Sequence, residues 1–291
     1  MKVGLCLYSV KNALARDPKG TMEIVAKMGF KYWETPAATP TRIDNSPSPV
    51  SPFGMPLPAK EAKALIEHYG VVITGNHYAP VDYPDFERYL EFQAELGLRF
   101  VGPSAAFFDG YDDILRKCEL FNKQAALAKS YGLRYYYHNH YHEFQKYNGQ
   151  YVEDIIYENT DPELVNIQLD TYWAARGGAD PVELINRYSK RLVSLHQKDF
   201  PANYHESLNV FDGMVDPNQP VTMEIYQQNR HRDSFAEVGT GILDIQSYID
   251  AGNEAGVSHI YLEQDMSKLD ELDSVKVSME NFKKYSGIEW D

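Results

Sequence analysis

The residues most able to do chemistry in this 291-residue chain fall in four short polar segments of its second half. These segments are 137–144 (YHNHYHEF), 168–173 (QLDTYW), 196–199 (HQKD) and 262–265 (LEQD). Each lies at the end of an apolar, β-rich run, so the four strand ends offer a carboxylate, a carboxylate, an imidazole and a carboxylate. That set suits a divalent cation such as Mn²⁺, Co²⁺, Mg²⁺ or Zn²⁺, with open positions for substrate oxygens.

Several neighbouring side chains are candidates for catalysis or substrate binding. His138 and His140 point to the same side of an extended chain, so either can donate to substrate oxygens or shuttle a proton, although packing roles are also open. Lys198 shares a face with His196 and can neutralise a developing enediolate oxygen. Trp173 is expected to form part of an apolar wall for a sugar ring.

Two earlier residues also end β-rich runs: Glu34 the second run and His77 the third. Both are expected to face the same rim and to contact substrate.

Each of the four carboxylate and imidazole candidates also has a possible structural role, and these roles differ in weight. Asp170 can cap the loop after its strand, and Glu143 can be a loop residue because it lies several positions past the strand end. His196 can be a satisfied core histidine. Glu263 has the strongest case for a cation partner, because a charged group at a buried strand end is costly alone.

The elements that must position these residues form a regular βα alternation, which predicts a parallel sheet. The β-rich runs are 3–8, 32–35, 71–76, 100–103, 133–140, 165–170, 192–198 and 259–264. Amphipathic helices are predicted at 21–28, 59–68, 86–96 and 115–131, and glycines at 29, 70, 97, 132 and 256 are natural helix stops. Eight such units indicate an α/β fold, a closed (β/α)8 barrel in one domain spanning 1–291.

Two segments are longer than plain connections, about 37–58 and 200–232. The first is rich in Pro, Ser and Thr and is predicted to be a loop. In a barrel of this kind both are expected at the carboxyl-terminal rim, where active sites form.

Composition narrows the function classes. A net charge of -14 without a basic stretch argues against nucleic acid. The two cysteines, Cys6 and Cys118, form no disulfide framework or CxxC pattern and suit buried thiols in a reducing compartment. The N-terminus resembles a first strand rather than a signal peptide, and no apolar run is long enough for a membrane span. We therefore expect a cytoplasmic enzyme.

The segments YHNHYHEF, LDTYWAARGGADP, LHQKD, EVGTGILD and YLEQD resemble the sugar phosphate isomerase/epimerase group of xylose isomerase-like barrels. The resemblance covers the second half well and the first half only in its general βα layout. It implies a divalent metal held by Glu143, Asp170, His196 and Glu263, for which we expect Mn²⁺ first. Because barrels of this group often pair, the resemblance also implies a homo-oligomer.

The function expected from this resemblance is sugar isomerisation or epimerisation in carbohydrate metabolism, by removal of a proton next to a carbonyl through a metal-stabilised enediolate. Glu143 or Glu263 would move the proton, helped by His138 or His140. An alternative is a lyase or dehydratase that acts on a 3-keto-glycoside or keto-polyol and expels a β-substituent. A DNA-repair nuclease and a non-catalytic barrel subunit or binding module are further alternatives.

Overall fold

The computed structural model describes residues 1–38 and 57–290, and eight parallel strands among them close into a barrel. The strands are β1 (Lys2–Cys6), β2 (Tyr32–Ala38), β3 (Val72–Tyr78), β4 (Phe100–Pro103), β5 (Arg134–His138), β6 (Val165–Asp170), β7 (Leu192–Gln197) and β8 (His259–Leu262). Each pairs with its neighbours along the chain, and β8 closes against β1. The predicted barrel is confirmed, with strand ends shifted by a few residues at most.

Helices connect the strands on the outside. They are α1 (Lys11–Arg16), α2 (Pro18–Lys27), α3 (Ala59–Tyr69), α4 (Phe86–Leu96), α5 (Tyr111–Ser130), α6 (Val152–Glu158), α7 (Thr171–Arg176), α8 (Pro181–Tyr188), α9 (Met223–Gln228), α10 (Ile245–Glu254) and α11 (Glu271–Phe282). The five glycines predicted to stop helices all have positive φ, the backbone conformation that glycine adopts without strain.

Two tyrosines cross the barrel interior below the site. Tyr136 reaches from β5 to Glu34 on β2, and Tyr261 reaches from β8 to Thr74 on β3. Gly102 makes room for Tyr136, because a Cβ at position 102 would lie 2.3 Å from the Tyr136 carbonyl oxygen. These aromatic side chains therefore fill the centre and form a rigid floor under the strand ends.

One buried carboxylate fixes the segment that leads into α10. Asp199, two residues after β7, accepts backbone N–H bonds from Phe200, Gly239, Gly241 and Leu243 at 2.8–3.1 Å. The EVGTGILD segment is thus tied to the end of β7. Its glycines supply backbone donors to Asp199, which gives this motif a structural role.

Of the two long connections, only the second lies within the described residues. The predicted loop at 37–58 lies mostly outside the described residues. The segment 200–232 contains α9 and covers part of the rim, where Met223, Tyr226 and Arg230 line the central pocket. Among the described residues, no helix has the length and apolar character that crossing a bilayer requires.

Candidate active site

A pocket of about 160 Å³ opens at the carboxyl ends of the strands. Five of the residues predicted from the sequence line it: His77, His138, His140, Lys198 and Glu263. The end of β2, the long segment after β7 and the loops after β1, β4 and β8 supply the remaining wall, with Tyr8, Pro36, Ala105, Tyr226 and Asp265 among its residues. The pocket therefore lies where a barrel of this type forms its active site.

Four buried side chains converge beside this pocket into a group able to hold a metal ion. His138, Asp170, His196 and Glu263 each offer a ligand atom, and these atoms lie within 4.8 Å of one another. Adjacent strands bring them together: Asp170 on β6 pairs directly with His196 on β7. Three of the four predicted ligands are thus neighbours, and we refer to these four residues as the cation group.

The side chain of Asp170 has two tasks. One oxygen accepts the Trp173 backbone N–H at 2.8 Å and caps α7, while the other accepts from Lys198. Asn139 holds the Asp170 backbone, accepting its N–H at 2.8 Å and donating to its carbonyl at 3.2 Å. The capping role considered from the sequence and a place in the cation group are therefore compatible.

The structure places Glu143 outside the group in which it was expected. A short 3-10 turn, His142–Phe144, follows β5 and directs the Glu143 carboxylate back against the barrel wall. There it accepts from the Tyr137 hydroxyl at 2.7 Å and from the His140 backbone N–H at 2.8 Å. It does not line the pocket, so neither metal ligation nor proton transfer by Glu143 is supported, and His138 takes the β5 position in the cation group.

Lys198 neutralises the acids of the group. Its ammonium donates to Asp170 and, at 2.5 Å, to Glu263, and it lies 3.7 Å from Asp265. Burial lowers the pKa of this amine, but the three carboxylates raise it well above its usual value. Burial raises the pKa of Asp170 to about 6 despite the opposing effect of Lys198. The ammonium shows that these acids already bind positive charge in this geometry.

His196 is held between two carboxylates. Its Nδ1 lies 2.7 Å from Glu263 Oε2 and its Nε2 lies 2.5 Å from Glu34 Oε2. Burial opposes a charged imidazole, but Glu34 and Glu263 raise the pKa of His196 to about 10. Burial disfavours charge on Glu263 as well, yet Lys198 and His196 hold its pKa well below the ordinary range.

Glu34 was expected to contact substrate, but its side chain does not reach the pocket. Its carboxylate is 1% exposed, is absent from the pocket lining, and accepts from Tyr136, Gln168 and His196. Burial raises its pKa, but His77 and His196 outweigh that effect and lower it to about 2. Glu34 is therefore an ionised group that supports His196 from behind.

The other imidazoles of the site are held neutral. Burial lowers the pKa of His77, His138 and His140, and neighbouring positive charge lowers that of the latter two further. His140 has a buried Nδ1 without a hydrogen-bond partner, and its ring packs edge-on against Tyr226 with centroids 5.2 Å apart. The neutral imidazole of His140 thus has a free lone pair beside the pocket, and its lowered pKa makes it a weaker base than an exposed histidine.

The donor set fits a divalent cation. It combines two carboxylates with two imidazoles and no thiolate, which matches the hard and borderline ions expected from the sequence. Two overlapping triads, His77–His138–His196 and Cys6–Glu34–His196, also have their possible ligand atoms within 4.8 Å of one another. Both are poorer candidates for a divalent cation, because the first triad has no carboxylate and in the second Glu34 already accepts three hydrogen bonds.

Comparison with known proteins agrees with the barrel fold. A family model described as xylose isomerase-like TIM barrel matches residues 22–285. The chain belongs to this xylose isomerase-like family. A curated relative named inosose dehydratase, from Lactiplantibacillus plantarum, is 27% identical over 171 residues, which cover 58% of this chain and 53% of that protein.

A second inosose dehydratase, from Geobacillus kaustophilus, is 37% identical over 83 residues, 27% of this chain and 25% of that protein. The chain thus spans about half or less of each curated relative. A solved sugar phosphate isomerase/epimerase from Parabacteroides distasonis superposes with a TM-score of 0.75, at 22% identity and coverage of 99% and 95% of the two chains. At that identity the structural likeness shows the fold alone.

In this xylose isomerase-like barrel, the sequence analysis missed one residue of the site and misplaced another. Arg230, from the long segment after β7, forms a salt bridge of 2.9 Å to Asp265 and donates to the Tyr8 hydroxyl at 3.0 Å. Trp173, expected in the substrate wall, is 1% exposed and lies behind Lys198 with the ammonium 5.8 Å from its ring. The wall is formed instead by Tyr226.

A second acid behind the site leads to a stability prediction. Glu153 is fully buried, accepts from the Tyr157 hydroxyl, and has an oxygen without a described partner. Burial, reinforced by Glu143, raises its pKa well above the ordinary value, so the folded state binds a proton that the unfolded state releases. This costs stability above the unfolded pKa, and the cost disappears as the pH falls below it.

We therefore expect Glu153→Gln to raise the melting temperature at neutral pH, by about 2–4 °C for each kcal/mol gained. The gain should shrink toward pH 4. Thermal unfolding across pH measures this, with exposed Glu158→Gln on the same helix as the control. A gain independent of pH would contradict the assignment of a bound proton to Glu153.

Proposed function

We propose that this chain is a divalent-cation-dependent enzyme that removes the proton next to the carbonyl of a keto-polyol or keto-sugar. The observation that carries the proposal is the meeting of three features at one small pocket: the cation group, the Lys198 ammonium and the unpartnered nitrogen of His140. Proton removal next to a carbonyl needs a base and a stabilised oxyanion. A cation held by the cation group would supply positive charge together with Lys198, and His140 supplies the base.

Each residue has a definite task in this proposal. A bound cation would act as a Lewis acid on the carbonyl and a neighbouring hydroxyl oxygen. His140 accepts the α-proton at Nδ1, where no other group competes for it. Lys198 neutralises part of the charge that develops on the substrate oxygen, and Tyr226 excludes water from the side of the pocket opposite the strands.

Removal of the α-proton leaves a carbanion, and the next reaction of this carbanion decides the class of enzyme. We propose elimination of a β-hydroxyl as the main reaction, since both curated relatives are named inosose dehydratase. A keto-inositol is then the first substrate to test. Isomerisation or epimerisation begins with the same proton removal and returns the proton at another position, so it stays the second candidate.

The test is incubation of the Mn²⁺-loaded protein with a keto-inositol in deuterated water, followed by NMR. The proposal expects loss of the α-proton and the β-hydroxyl as water, which gives an α-hydroxy enone and, by tautomerisation, a 1,2-diketone. Reversible proton removal should also place deuterium at the α-carbon of recovered substrate. Deuterated isomers without dehydration would support the second candidate. Neither exchange nor product, for a panel of keto-polyols and keto-sugars, would contradict α-proton removal.

The role of His140 has its own test. We expect His140→Gln to lower kcat about 10²- to 10⁴-fold, the usual contribution of a general base, while the bound cation is retained. Solvent-exposed His205→Gln is the control and should behave as wild type. Normal α-proton exchange in His140→Gln would show that another residue acts as the base.

A further inference from the structure

We propose that Arg230 and Tyr8 form a carboxylate-binding subsite in the wall of the pocket, which makes the substrate an acidic keto-polyol rather than a neutral one. This subsite rests on the proposed function for the reacting carbonyl, but its own geometry comes from the contacts of these two side chains. Both line the same pocket as His140 and Lys198, so a ligand that they hold lies beside the reactive groups.

One edge of the Arg230 guanidinium is held in place. Its Nε and Nη2 lie 3.1 and 2.9 Å from Asp265 Oδ2, and Nη2 donates to the Tyr8 hydroxyl at 3.0 Å. The ring centroids of Tyr8 and Tyr226 lie 5.5 and 6.0 Å from the guanidinium carbon. Because these contacts already fix the side chain, Arg230 loses little further freedom when it binds another group.

The other edge of this guanidinium is unused. Among the described residues, Nη1 of Arg230 has no hydrogen-bond partner, and it is not one of the buried polar atoms left without one. Its N–H groups are therefore accessible, on a residue that lines the pocket. A guanidinium has only donors, so a group that binds this edge must supply acceptor oxygens.

The Tyr8 hydroxyl supplies a second donor next to the first. Its oxygen accepts from Arg230, and its own hydrogen has no acceptor within the part of the chain that the structure describes. Burial raises the pKa of this phenol, so the hydroxyl keeps its proton. Two adjacent donors, one on each residue, match the two acceptor oxygens of a carboxylate.

The charge of the pocket permits an anion, although the whole chain carries a net charge of -14. The described lining residues include two cations, Lys198 and Arg230, and two acids, Glu263 and Asp265, so their charges cancel. The Lys11 ammonium lies next to them and donates to the Asp265 backbone carbonyl at 2.8 Å. A substrate carboxylate is therefore attracted to this wall rather than repelled.

The first experiment compares two unreactive ligands of the same ring size, by calorimetry with the metal-free protein. Quinate is a cyclohexane polyol that carries a carboxylate, whereas myo-inositol is a cyclohexane polyol that carries none. Wild type should bind quinate about 10- to 100-fold more tightly, the usual contribution of hydrogen bonds to a charged group. Quinate binding that is no tighter than that of myo-inositol, or too weak to detect, would overturn the proposal.

This comparison is independent of catalysis, because neither ligand has a ketone and no cation is required. A clear preference for quinate, in a protein that removes no α-proton from any keto-polyol, would support the subsite and contradict only the proposed function.

The assignment to Arg230 and Tyr8 is tested with substitutions. Arg230→Lys keeps the positive charge but loses the free edge of the guanidinium, so quinate affinity should fall about 10-fold or more while myo-inositol affinity stays the same. Tyr8→Phe keeps the ring, removes the hydroxyl donor and should lose a smaller part of the preference. Arg232→Lys, the same change at an exposed arginine outside the pocket lining, is the control and should match wild type. An unchanged preference for quinate in both Arg230→Lys and Tyr8→Phe would overturn the proposal.

Discussion

Glu263→Gln is expected to lose its stoichiometric divalent cation and to lower turnover by about 10³-fold or more. The reason is that Glu263 is both a member of the cation group and the shared partner of His196 and Lys198. Stabilisation of the developing oxyanion by a cation contributes several kcal/mol, and each 1.36 kcal/mol corresponds to a tenfold change in rate. Metal analysis of the purified variant and its rate of α-proton exchange measure the two effects.

Two matched variants separate the site seen in the structure from the one expected from the sequence. Glu143→Gln should keep its cation, because the Glu143 carboxylate is directed toward Tyr137 and the His140 backbone. His138→Leu should weaken cation binding, because it removes the imidazole that replaces Glu143 in the group. Loss of the cation in Glu143→Gln, with retention in His138→Leu, would restore the sequence-based ligand set and contradict the structural one.

Asp199→Ala is expected to lose at least about 3 kcal/mol of unfolding free energy. The substitution leaves four backbone N–H groups without their acceptor, and each buried unsatisfied donor costs about 1–3 kcal/mol before relaxation. The loop that leads into α10 should loosen as a result. Urea denaturation followed by circular dichroism provides the measurement.

Asp180→Ala is the control with which the loss of unfolding free energy in Asp199→Ala is compared. Asp180 is an exposed aspartate that accepts from the backbone N–H groups of Val182 and Glu183 at the start of α8. Its removal should cost about 1 kcal/mol, the usual value for a helix cap. An Asp199→Ala variant no less stable than Asp180→Ala would show that the EVGTGILD segment does not depend on Asp199.

The barrel was predictable because its signals are local. Short β-rich runs marked the strands, and glycines at the helix ends marked where each βα unit turns, as the positive φ values of Gly70 and Gly97 confirm. The contents of the barrel were not predictable in the same way. Tyr136 fits only because Gly102 lies on the neighbouring strand, and that pairing depends on register across the sheet.

The site was predictable where its residues lie within strands. Asp170, His196 and Glu263 end strands or follow them directly, so their convergence followed from the fold. Glu143 lies beyond β5, where a 3-10 turn sets the direction of its side chain, and no spacing rule predicts that direction. Gln168 lies two residues before Asp170, and the alternation of a strand would have placed it on the same face.

The long segment after β7 contributes two pocket residues that the sequence analysis did not assign to the site. Tyr226 and Arg230 reach the pocket because salt-bridged Asp265 anchors Arg230 to the end of β8. Such a contact joins residues 35 positions apart in irregular backbone, where no periodicity guides a prediction.

The most direct test of the cation group is anomalous X-ray scattering from crystals of the Mn²⁺-loaded protein. The account predicts one strong peak within coordination distance of Asp170, His196 and Glu263, with His138 as the fourth protein ligand. A peak bound by Glu143, or a fully loaded protein with manganese elsewhere, would contradict it.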